Sequence, residues 1–476
     1  MVGKVAVIGA GTMGSGIVQV AAAAGHEVVV IDRERDALVR GGQAFTGSLA
    51  ALVKRSRISQ NDADSIAARV SWSTELADAA SCDLVIEAIV ERLDIKRSLF
   101  TDLAALAGPA TVLASNTSSL SIAAMADGLP HPERFVGLHF FNPVPVMKLV
   151  EIVAGPATDP TLVERMTALM QRWGKHAVAV RDVPGFIVNR VARPYYAEAF
   201  LALDEGIDPA TIDAALTGGG GFRMGPLTLA DMIGHDINYA AASSVFAAMQ
   251  PHTRFRPQPN QARLVEQGLL GRKTGRGVYD YSADPAPVEA AVGQPAGEID
   301  IAPDAGAFGW ILQSTDCRSN DQLSPGCISV DGVVMAYGDG RPLSQRADVD
   351  VLLDHAEDPA ACPILIATAR DPRSTEATGR LASRLGKRLV VLPDRPGQIV
   401  LRTLAQIANG AADAVEDDVA SAPSIDDAMI YGANYPKGPI AWARGFGLAE
   451  VQQTLAHIAS ATGDALYEPS RGIDRL

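Results

Sequence analysis

Short apolar runs alternate with longer amphipathic stretches over the first part of the chain. The β-branched run Val5–Ile8 is followed by glycines and an Ala-rich helical stretch, and a second apolar run covers Val28–Ile31. The runs Leu84–Ile89 and Val112–Ala114 continue the pattern, with an amphipathic helix predicted after the first of them. Short buried strands that alternate with helices are typical of a parallel sheet. The pattern predicts an α/β domain.

The turn after the first strand contains Gly9, Gly11 and Gly14, and Asp32 ends the second strand. In such a βαβ unit the glycines allow a tight turn, backbone approach to a pyrophosphate and close contact between helix and strand. A carboxylate at the end of the second strand can accept hydrogen bonds from a ribose and would repel a 2′-phosphate. The unit therefore predicts a Rossmann-type site for NAD, although a glycine-rich turn without a ligand is the alternative.

Polar residues follow the other predicted strands of this sheet. Ligands of open α/β sheets lie beyond the carboxyl ends of the strands, so topology places these residues at the ligand edge. They are Glu91, Lys96, Asn116, Thr117 and Ser118.

Four polar residues interrupt the apolar stretch 137–153, namely His139, Asn142, Lys148 and Glu151. Oxidation of an alcohol needs a base that is held in one tautomer, and an imidazole beside a carboxylate meets that need. The prolines between His139 and Glu151 predict a loop that returns a second strand, Leu149–Val153, beside the first. The alternatives are a core histidine bonded to backbone, a turn-forming role for Asn142 and a solvated strand-edge charge at Lys148.

Pro184 and Gly185 mark a boundary, after which a helical pattern continues from Phe186 to about Met249. Asn189 lies one turn into the first helix among apolar neighbours. Its amide is suited to orienting a carbonyl group, and a capping or packing role is the alternative.

Composition narrows the class of protein. The chain has 476 residues, 47% of them hydrophobic, which predicts roughly three folded units, and its net charge of -14 disfavours nucleic acid as a partner. No apolar run is long enough to cross a bilayer, and four scattered cysteines fit a reducing compartment without predicting a metal site. We expect a cytoplasmic protein that does not bind a membrane.

The motifs "GAGTMGSGI", "SNTSSL", "GLHFFNP", "KLVEIV", "PGFIVNR" and "GPLTLAD" follow one another over residues 1–282. Their order and separations resemble the 3-hydroxyacyl-CoA dehydrogenase family. The resemblance implies NAD-dependent oxidation of (3S)-3-hydroxyacyl-CoA to 3-oxoacyl-CoA, a step of β-oxidation, and its reverse. It also implies that His139 is the general base, Glu151 its orienting partner, and Ser118 and Asn189 contacts to the reacting substrate.

The same resemblance implies two sets of ligand contacts. For NAD they are Gly9, Gly11, Thr12, Met13, Gly14, Asp32, Glu91, Lys96, Asn116 and Asn142. For coenzyme A they are Ser48 and Arg55, in a helical stretch with a basic cluster at Lys54, Arg55 and Arg57. A basic cluster is usually a solvated face, but an acidic protein that binds a phosphorylated adenosine needs local positive charge.

An internal repeat follows the first copy. "LMQRWGKHAVAVRDVPGFIVNRV" from Leu169 aligns without gaps on "LASRLGKRLVVLPDRPGQIVLRT" from Leu381, and Asn189 falls opposite Leu401. No glycine fingerprint and no counterpart of "HFFNP" is visible, so we expect the second copy to bind no nucleotide. The predicted domains are an NAD-binding domain (1–182), a helical domain (183–282), a Pro/Ala/Gly-rich linker (283–306), a reduced α/β segment (307–393) and a degenerate second helical domain (394–476).

Single-copy members of this family dimerise through their helical domains, which predicts either a homodimer or a monomer in which 394–476 packs on 183–282 as a pseudo-dimer. An unrelated docking domain is the alternative. The size and degenerate second domain resemble bacterial dehydrogenases of phenylacetate catabolism that act on 3-hydroxyadipyl-CoA, with 3-hydroxybutyryl-CoA as the other candidate. Rival functions are a β-hydroxyacid dehydrogenase, which would use a lysine where Asn189 stands, a non-catalytic NAD-binding protein, and a β-oxidation enzyme that needs a separate hydratase.

Overall fold

A computed structural model of the chain describes residues 2–249, 253–282 and 294–476. Its strands are β1 Lys4–Ile8, β2 Glu27–Ile31, β3 Val70–Ser73, β4 Leu84–Glu87, β5 Val112–Ser115, β6 Phe135–Phe140, β7 Leu149–Ala154, β8 His176–Arg181, β9 Ile299–Ile301, β10 Arg318–Ser319, β11 Cys327–Val330, β12 Val333–Tyr337, β13 Val351–Leu353, β14 Ile364–Ala369 and β15 Arg388–Val391. Its α-helices are α1 Thr12–Ala23, α2 Arg35–Lys54, α3 Gln60–Ala67, α4 Leu93–Leu106, α5 Ile122–Ala126, α6 Pro160–Arg172, α7 Val188–Val191, α8 Arg193–Asp204, α9 Pro209–Gly218, α10 Pro226–Ile233, α11 His235–Ala248, α12 Pro259–Glu266, α13 Pro372–Arg384, α14 Val400–Glu416, α15 Ala422–Ala433, α16 Pro439–Phe446 and α17 Leu448–Thr462.

The described residues form two compact units. The first contains the chain up to Asn189 together with Asp418–Ala433, and the second contains Arg190–Asp417 with Asn434–Leu476. A helix of the second repeat, α15, therefore belongs to the same unit as the N-terminal sheet.

The sheet of the first unit has the strand order β3-β2-β1-β4-β5-β6-β7-β8, and every neighbouring pair is parallel except β6 and β7. Strands β1, β2, β4, β5 and β6 are almost entirely buried, as expected for parallel strands covered on both faces. The predicted Rossmann-type α/β fold is confirmed. Strand β4 ends at Glu87, two residues before the predicted end, because the Glu87 carboxylate turns back to accept a hydrogen bond from Ile89 N.

In the second unit the two helical copies pack on one another through α8 and α14. Helix α14 is buried along nearly its whole length. Arg190 forms an ion pair with Asp417, and Arg402 lies 3.7 Å from Glu205. The repeat register relates Arg190 to Arg402 and Glu205 to Asp417. The two arginine–carboxylate contacts are therefore symmetry-related, as expected for an interface with a two-fold axis.

The sheet of the second unit has the order β10-β9-β11-β12-β13-β14-β15 and is mixed. This confirms the predicted partial α/β remnant between the helical copies. Strand β9 already begins at Ile299, inside the segment that the sequence analysis interpreted as a linker, and residues 283–293 of that segment lie outside the described residues.

Strands β12–β15 repeat the topology of β5–β8: β13 is antiparallel to β14, and β14 is parallel to β15. The pairing of β6 with β7 places His139 opposite Glu151. In the repeat, Asp354 follows β13 directly and donates its N–H to Ile366 O at 2.9 Å, which places Asp354 opposite Ile366. The strand that carries "HFFNP" therefore does have a structural counterpart, which the sequence analysis missed because its residues have changed.

Candidate active site

The glycine turn after β1 is shaped by close backbone approaches. Gly9 has a φ of +105°, and a Cβ atom there would lie 2.6 Å from Ala88 O. A Cβ on Gly14 would overlap Gly9 O. Among the described residues, no atom lies within 4 Å of a Cβ built on Gly11, so a ligand's phosphates can approach this backbone. The turn therefore fits the pyrophosphate of a dinucleotide.

Other residues predicted to contact NAD lie beside this turn, at the ligand edge of the sheet. Thr12 and Met13 form the first turn of α1, whose N–H groups lack intrahelical acceptors. Asp32 accepts hydrogen bonds from Ala10 N at 2.9 Å and from Glu34 N at 3.0 Å. Its carboxylate is thereby fixed at the end of β2 next to the glycine turn, where the sequence analysis placed it.

Lys96 is buried and bridges two carboxylates. Its Nζ lies 2.6 Å from Glu87 and 3.0 Å from Glu91, and its side chain is 1% exposed. Burial raises the pKa of Glu91, but the Lys96 charge and hydrogen bonds from Thr117 and Ser118 together hold this pKa below its ordinary value. The predicted cofactor residues Glu91 and Lys96 thus belong to one charged network beneath the strand ends. Glu87 is a member that the sequence analysis missed.

The loop after β5 is tied to its neighbours by side chains. Asn116 Oδ1 accepts a hydrogen bond from Phe140 N at 2.9 Å, which links the end of β5 to the end of β6. Glu91 Oε1 accepts hydrogen bonds from Thr117 Oγ1 at 2.6 Å and from Ser118 N at 2.9 Å. The predicted residues Asn116 and Ser118 therefore hold defined positions at the same edge as the glycine turn.

His139 and Glu151 are in direct contact. His139 Nδ1 lies 2.6 Å from Glu151 Oε2, and the two side chains are 7% and 0% exposed. The ring is packed by Phe141 and Phe186, with centroid distances of 4.4 and 5.7 Å. A carboxylate acceptor requires the proton on Nδ1, which leaves the Nε2 lone pair to act as a base.

The second oxygen of Glu151 has a different task. Oε1 accepts hydrogen bonds from Ile187 N and Val188 N, both at 3.0 Å, where the chain enters α7. Asn189 follows Val188 directly, and its Nδ2 donates to Ser118 O at 3.3 Å. The structure thus brings together the residues predicted to act on the substrate, and Glu151 holds both the imidazole and the start of this helix.

A cleft of about 400 Å³ lies between the glycine turn, α2 and the loop after β6. Ser48 and Asn142 line it, and so does Arg40, which precedes Ser48 by two helical turns on the same face. Arg55 lies at the C-terminal end of α2, is exposed and does not line this cleft. Lys148 is also exposed. Helical spacing of residues 40, 44 and 48 was the signal that could have identified Arg40.

Lys175 fastens the loop that closes this cleft, and the sequence analysis missed it. Its Nζ donates hydrogen bonds to Val144 O and, at 2.8 Å, to Met147 O. Desolvation of the ammonium group lowers the pKa of Lys175 to about 8. A lysine three residues after the end of α6 gave no pattern that would predict this role.

These features define an oxidoreductase of the dinucleotide-dependent class: a glycine turn for a pyrophosphate, an acidic residue for a ribose, and a buried imidazole at the same sheet edge.

Comparisons with known proteins identify the family. The sequence model described as "3-hydroxyacyl-CoA dehydrogenase, NAD binding domain" matches residues 4–183, and that of the C-terminal domain matches residues 185–281 and again 397–476. The chain belongs to the 3-hydroxyacyl-CoA dehydrogenase family, and it is an NAD-dependent oxidoreductase.

Three relatives illustrate the range of similarity. The 3-hydroxyadipyl-CoA dehydrogenase of Escherichia coli K12 is 40% identical over 98% of this chain and 95% of its own length. The 3-hydroxybutyryl-CoA dehydrogenase of Bradyrhizobium diazoefficiens is 42% identical over 60% of this chain and 97% of its own length. The crystal structure of 3-hydroxybutyryl-CoA dehydrogenase from E. coli K12 superposes with a TM-score of 0.91 at 38% identity, covering 100% of this chain and 98% of that one.

Two kinds of site are absent from the part of the chain that the structure describes. None of its helices has both the length and the apolar character needed to span a membrane. Within the same ranges, no three histidine, cysteine or acidic side chains are grouped so that they could hold a metal ion.

Proposed function

We propose that the chain oxidises the 3-hydroxyl group of a (3S)-3-hydroxyacyl-CoA, with His139 as the general base. The hydroxyl proton passes to Nε2 of His139, while C3 loses a hydride and becomes the carbonyl carbon of 3-oxoacyl-CoA. NAD held by the glycine turn and Asp32 would supply the acceptor for that hydride, giving NADH. In the reverse direction His139 returns the proton to the 3-oxygen.

The contact of His139 with Glu151 carries this proposal. The carboxylate accepts the Nδ1 proton at 2.6 Å, which keeps the basic nitrogen on the opposite side of the ring and stabilises the imidazolium that forms. Such buried pairs also occur as structural contacts. Here, however, the pair lies at the ligand edge of a dinucleotide-binding sheet, and this location favours catalysis.

Ser118 and Asn189 are proposed to bind the reacting part of the substrate. The hydrogen bond from Asn189 to Ser118 O, together with the bonds from Ser118 to Glu91, holds both polar side chains in the neighbourhood of the cofactor edge. The Ser118 hydroxyl is suited to donating a hydrogen bond to the 3-oxygen. The Asn189 amide is suited to orienting the thioester carbonyl.

The part of the cleft along α2 is proposed to hold part of coenzyme A, which agrees with its lining by Ser48 and with the guanidinium of Arg40 as a phosphate contact, whereas the glycine turn and Asn142 are proposed to contact NAD. Arg55 was also predicted to bind coenzyme A, and it is an exposed cation at the end of α2. We also propose a cytoplasmic location, in agreement with four free cysteines.

For the acyl group we propose a short chain or the dicarboxylic 3-hydroxyadipyl group. Two similar proteins of E. coli K12 support these two substrates: the 3-hydroxyadipyl-CoA dehydrogenase, and the 3-hydroxybutyryl-CoA dehydrogenase whose crystal structure superposes on this chain. The pseudo-two-fold contact between the helical copies supports a monomer that contains its own dimer-like interface.

An initial-rate panel tests the function. Rates are measured with NAD+ and NADP+ against the coenzyme A thioesters of 3-hydroxybutyrate, 3-hydroxyhexanoate and 3-hydroxyadipate, and against free 3-hydroxybutyrate. We expect turnover of a thioester with NAD+, a much lower rate with NADP+ and none with the free acid. Turnover of the free acid alone would establish the β-hydroxyacid dehydrogenase instead.

A further inference from the structure

Helix α15 belongs to the degenerate copy by sequence, yet it packs on β7 and β8 of the NAD-binding sheet. His176 Nε2 on β8 lies 2.9 Å from Asp427 Oδ2, and the His176 ring packs against Tyr431 with a centroid distance of 4.3 Å. The backbone just before the helix adds a hydrogen bond from Arg181 N to Val419 O at 3.0 Å. The helix is therefore an integral part of the first unit.

Gly432 of α15 lies close against β7 and the start of α7. This residue is buried, and a Cβ atom built on it would overlap Leu149 Cδ2 and lie 3.0 Å from Val188 Cγ2. Real side chains do not tolerate such distances, so a larger residue here must push Leu149, Val188 or the helix away.

Both neighbours of Gly432 are coupled to Glu151. Leu149 precedes Glu151 by two residues on β7, so their side chains share one face of the strand. Val188 donates its N–H to Glu151 Oε1 at 3.0 Å, while Oε2 of the same carboxylate meets His139 at 2.6 Å. A displacement of Leu149 or Val188 therefore moves the carboxylate that orients the imidazole.

The same approach recurs at the degenerate site within the second unit. A Cβ on Gly219 would lie 3.0 Å from Val400 Cγ2, and Val400 N donates to Asp354 at 2.8 Å. The gapless register from Leu169 and Leu381 relates Val188 to Val400. One extra residue in the second copy shifts the register before "GPLTLAD" (from Gly225) and "GPIAWAR" (from Gly438), and this shifted register relates Gly219 to Gly432. Each helical copy thus places a glycine against a valine of the other repeat, and the N–H group of that valine binds a buried carboxylate.

We propose that α15 is a positioning element of the active site, and that Gly432 sets the position of Glu151 through Leu149 and Val188. This inference rests on the proposed function of Glu151 and His139. It gives the degenerate copy a task in catalysis: without α15, β7 and the start of α7 lose the surface that holds them in place.

The test uses the full-length chain with Gly432→Val, the milder Gly432→Ala, and Gly445→Ala as the matched control. Gly445 is an exposed helical glycine of the same copy, where a Cβ would lie 3.4 Å from the flexible end of Lys437. For Gly432→Val we expect kcat to fall at least tenfold, with KM and the NADH dissociation constant within twofold of wild type. The deuterium isotope effect on kcat with 3-deuterated substrate should rise, because hydride transfer becomes slower relative to product release. Gly432→Ala should lie between, and Gly445→Ala should match wild type.

A Gly432→Val protein that retains wild-type kcat overturns the proposal. An equal fall in kcat and in the number of NADH-binding sites, with an unchanged isotope effect, also overturns it, because this result indicates a smaller folded fraction. If Gly432→Val does not fold, Gly432→Ala and Asp427→Asn decide the question by the same criteria. Should the wild-type chain fail on every substrate, hydrogen exchange of the Ile187 and Val188 amides separates the two hypotheses. Faster exchange in Gly432→Ala than in Gly445→Ala would support the positioning role, and equal exchange would refute it.

Discussion

Asp354 and Glu151 accept hydrogen bonds from equivalent backbone groups in the two copies, although they come from different strands of the repeat. Glu151 binds Ile187 N and Val188 N, and Asp354 binds Ile399 N, Val400 N and Leu401 N. By strand pairing Asp354 replaces His139, and Ile366 replaces Glu151. The second copy therefore retains the carboxylate that caps the helix entry and lacks the base.

The variants Glu151→Gln and Asp354→Asn separate the catalytic role of such a carboxylate from its structural role at the start of a helix. Glu151→Gln should reduce kcat by roughly 10²-fold or more, because the amide no longer stabilises the imidazolium. Asp354→Asn should leave kcat unchanged and lower the free energy of unfolding by about 1–3 kcal/mol, because buried N–H groups lose a charged acceptor. Steady-state kinetics and urea unfolding measure both. Equal effects of the two variants on kcat would contradict this division of roles.

His139→Ala should lose turnover by roughly 10²- to 10⁴-fold, the contribution typical of a general base. The glycine turn lies outside the His139 contacts, so the dissociation constant for NADH should stay close to the wild-type value. Steady-state assays measure kcat, and fluorescence titration with NADH measures the dissociation constant. Normal turnover by this variant would remove the basis of the proposed acid–base chemistry.

Asp32→Asn should raise the ratio of kcat/KM for NADP+ to that for NAD+ by about tenfold, because the repulsion of a 2′-phosphate is removed. The asparagine oxygen can still accept the hydrogen bond from Ala10 N, so the glycine turn should keep its shape. Asp36→Asn, an exposed acidic residue in the first turn of α2, is the matched control. An unchanged ratio would mean that Asp32 does not select the cofactor.

Lys175 gives a pH dependence of stability with a defined sign. Its pKa of about 8 in the folded chain lies below the ordinary lysine value of 10.5, so between these pH values the unfolded chain binds more protons. The stability of wild type relative to Lys175→Met should therefore increase as the pH rises from about 8 to 10.5. Urea unfolding of both proteins at pH 7.5 and 9.5 measures the difference. A difference that stays constant or declines would show that the ammonium is not desolvated.

A chain ending at Ser282 should self-associate. It lacks α14, which covers α8 in the full chain, and an exposed apolar helix face favours association with a second copy. Sedimentation velocity should show a monomer for the full chain and a dimer or larger species for the shortened one. A shortened chain that remained monomeric and fully stable would exclude the pseudo-dimer.

The sequence was informative where a function depends on a local pattern. Asp32 follows a glycine turn at a fixed place in a βαβ unit, and His139 and Glu151 stand out as polar residues in an apolar stretch. Partners that come from distant segments gave no such signal. Lys96 forms an ion pair with Glu87 from another element, and Lys175 donates hydrogen bonds to carbonyl groups of a loop.

The counterpart of β6 in the second sheet was hidden for a related reason. Strand pairing is conserved through backbone hydrogen bonds, which tolerate replacement of the side chains, so Asp354 has no motif that marks it. The packing of α15 against β7 depends on the absence of a side chain at Gly432, and a single glycine in a helix has many ordinary explanations.

The joining of both helical copies in one polypeptide also changes how the protein can evolve. In a homodimer each interface mutation occurs at two symmetric places, whereas here either half can vary alone. Arg402 contacts Glu198 at 2.8 Å, but the residue related to Glu198 by the repeat is Gly410, so this contact has no symmetric mate. Fusion thereby permits an asymmetric interface that two identical subunits could not build, and it removes selection for a second set of reactive groups.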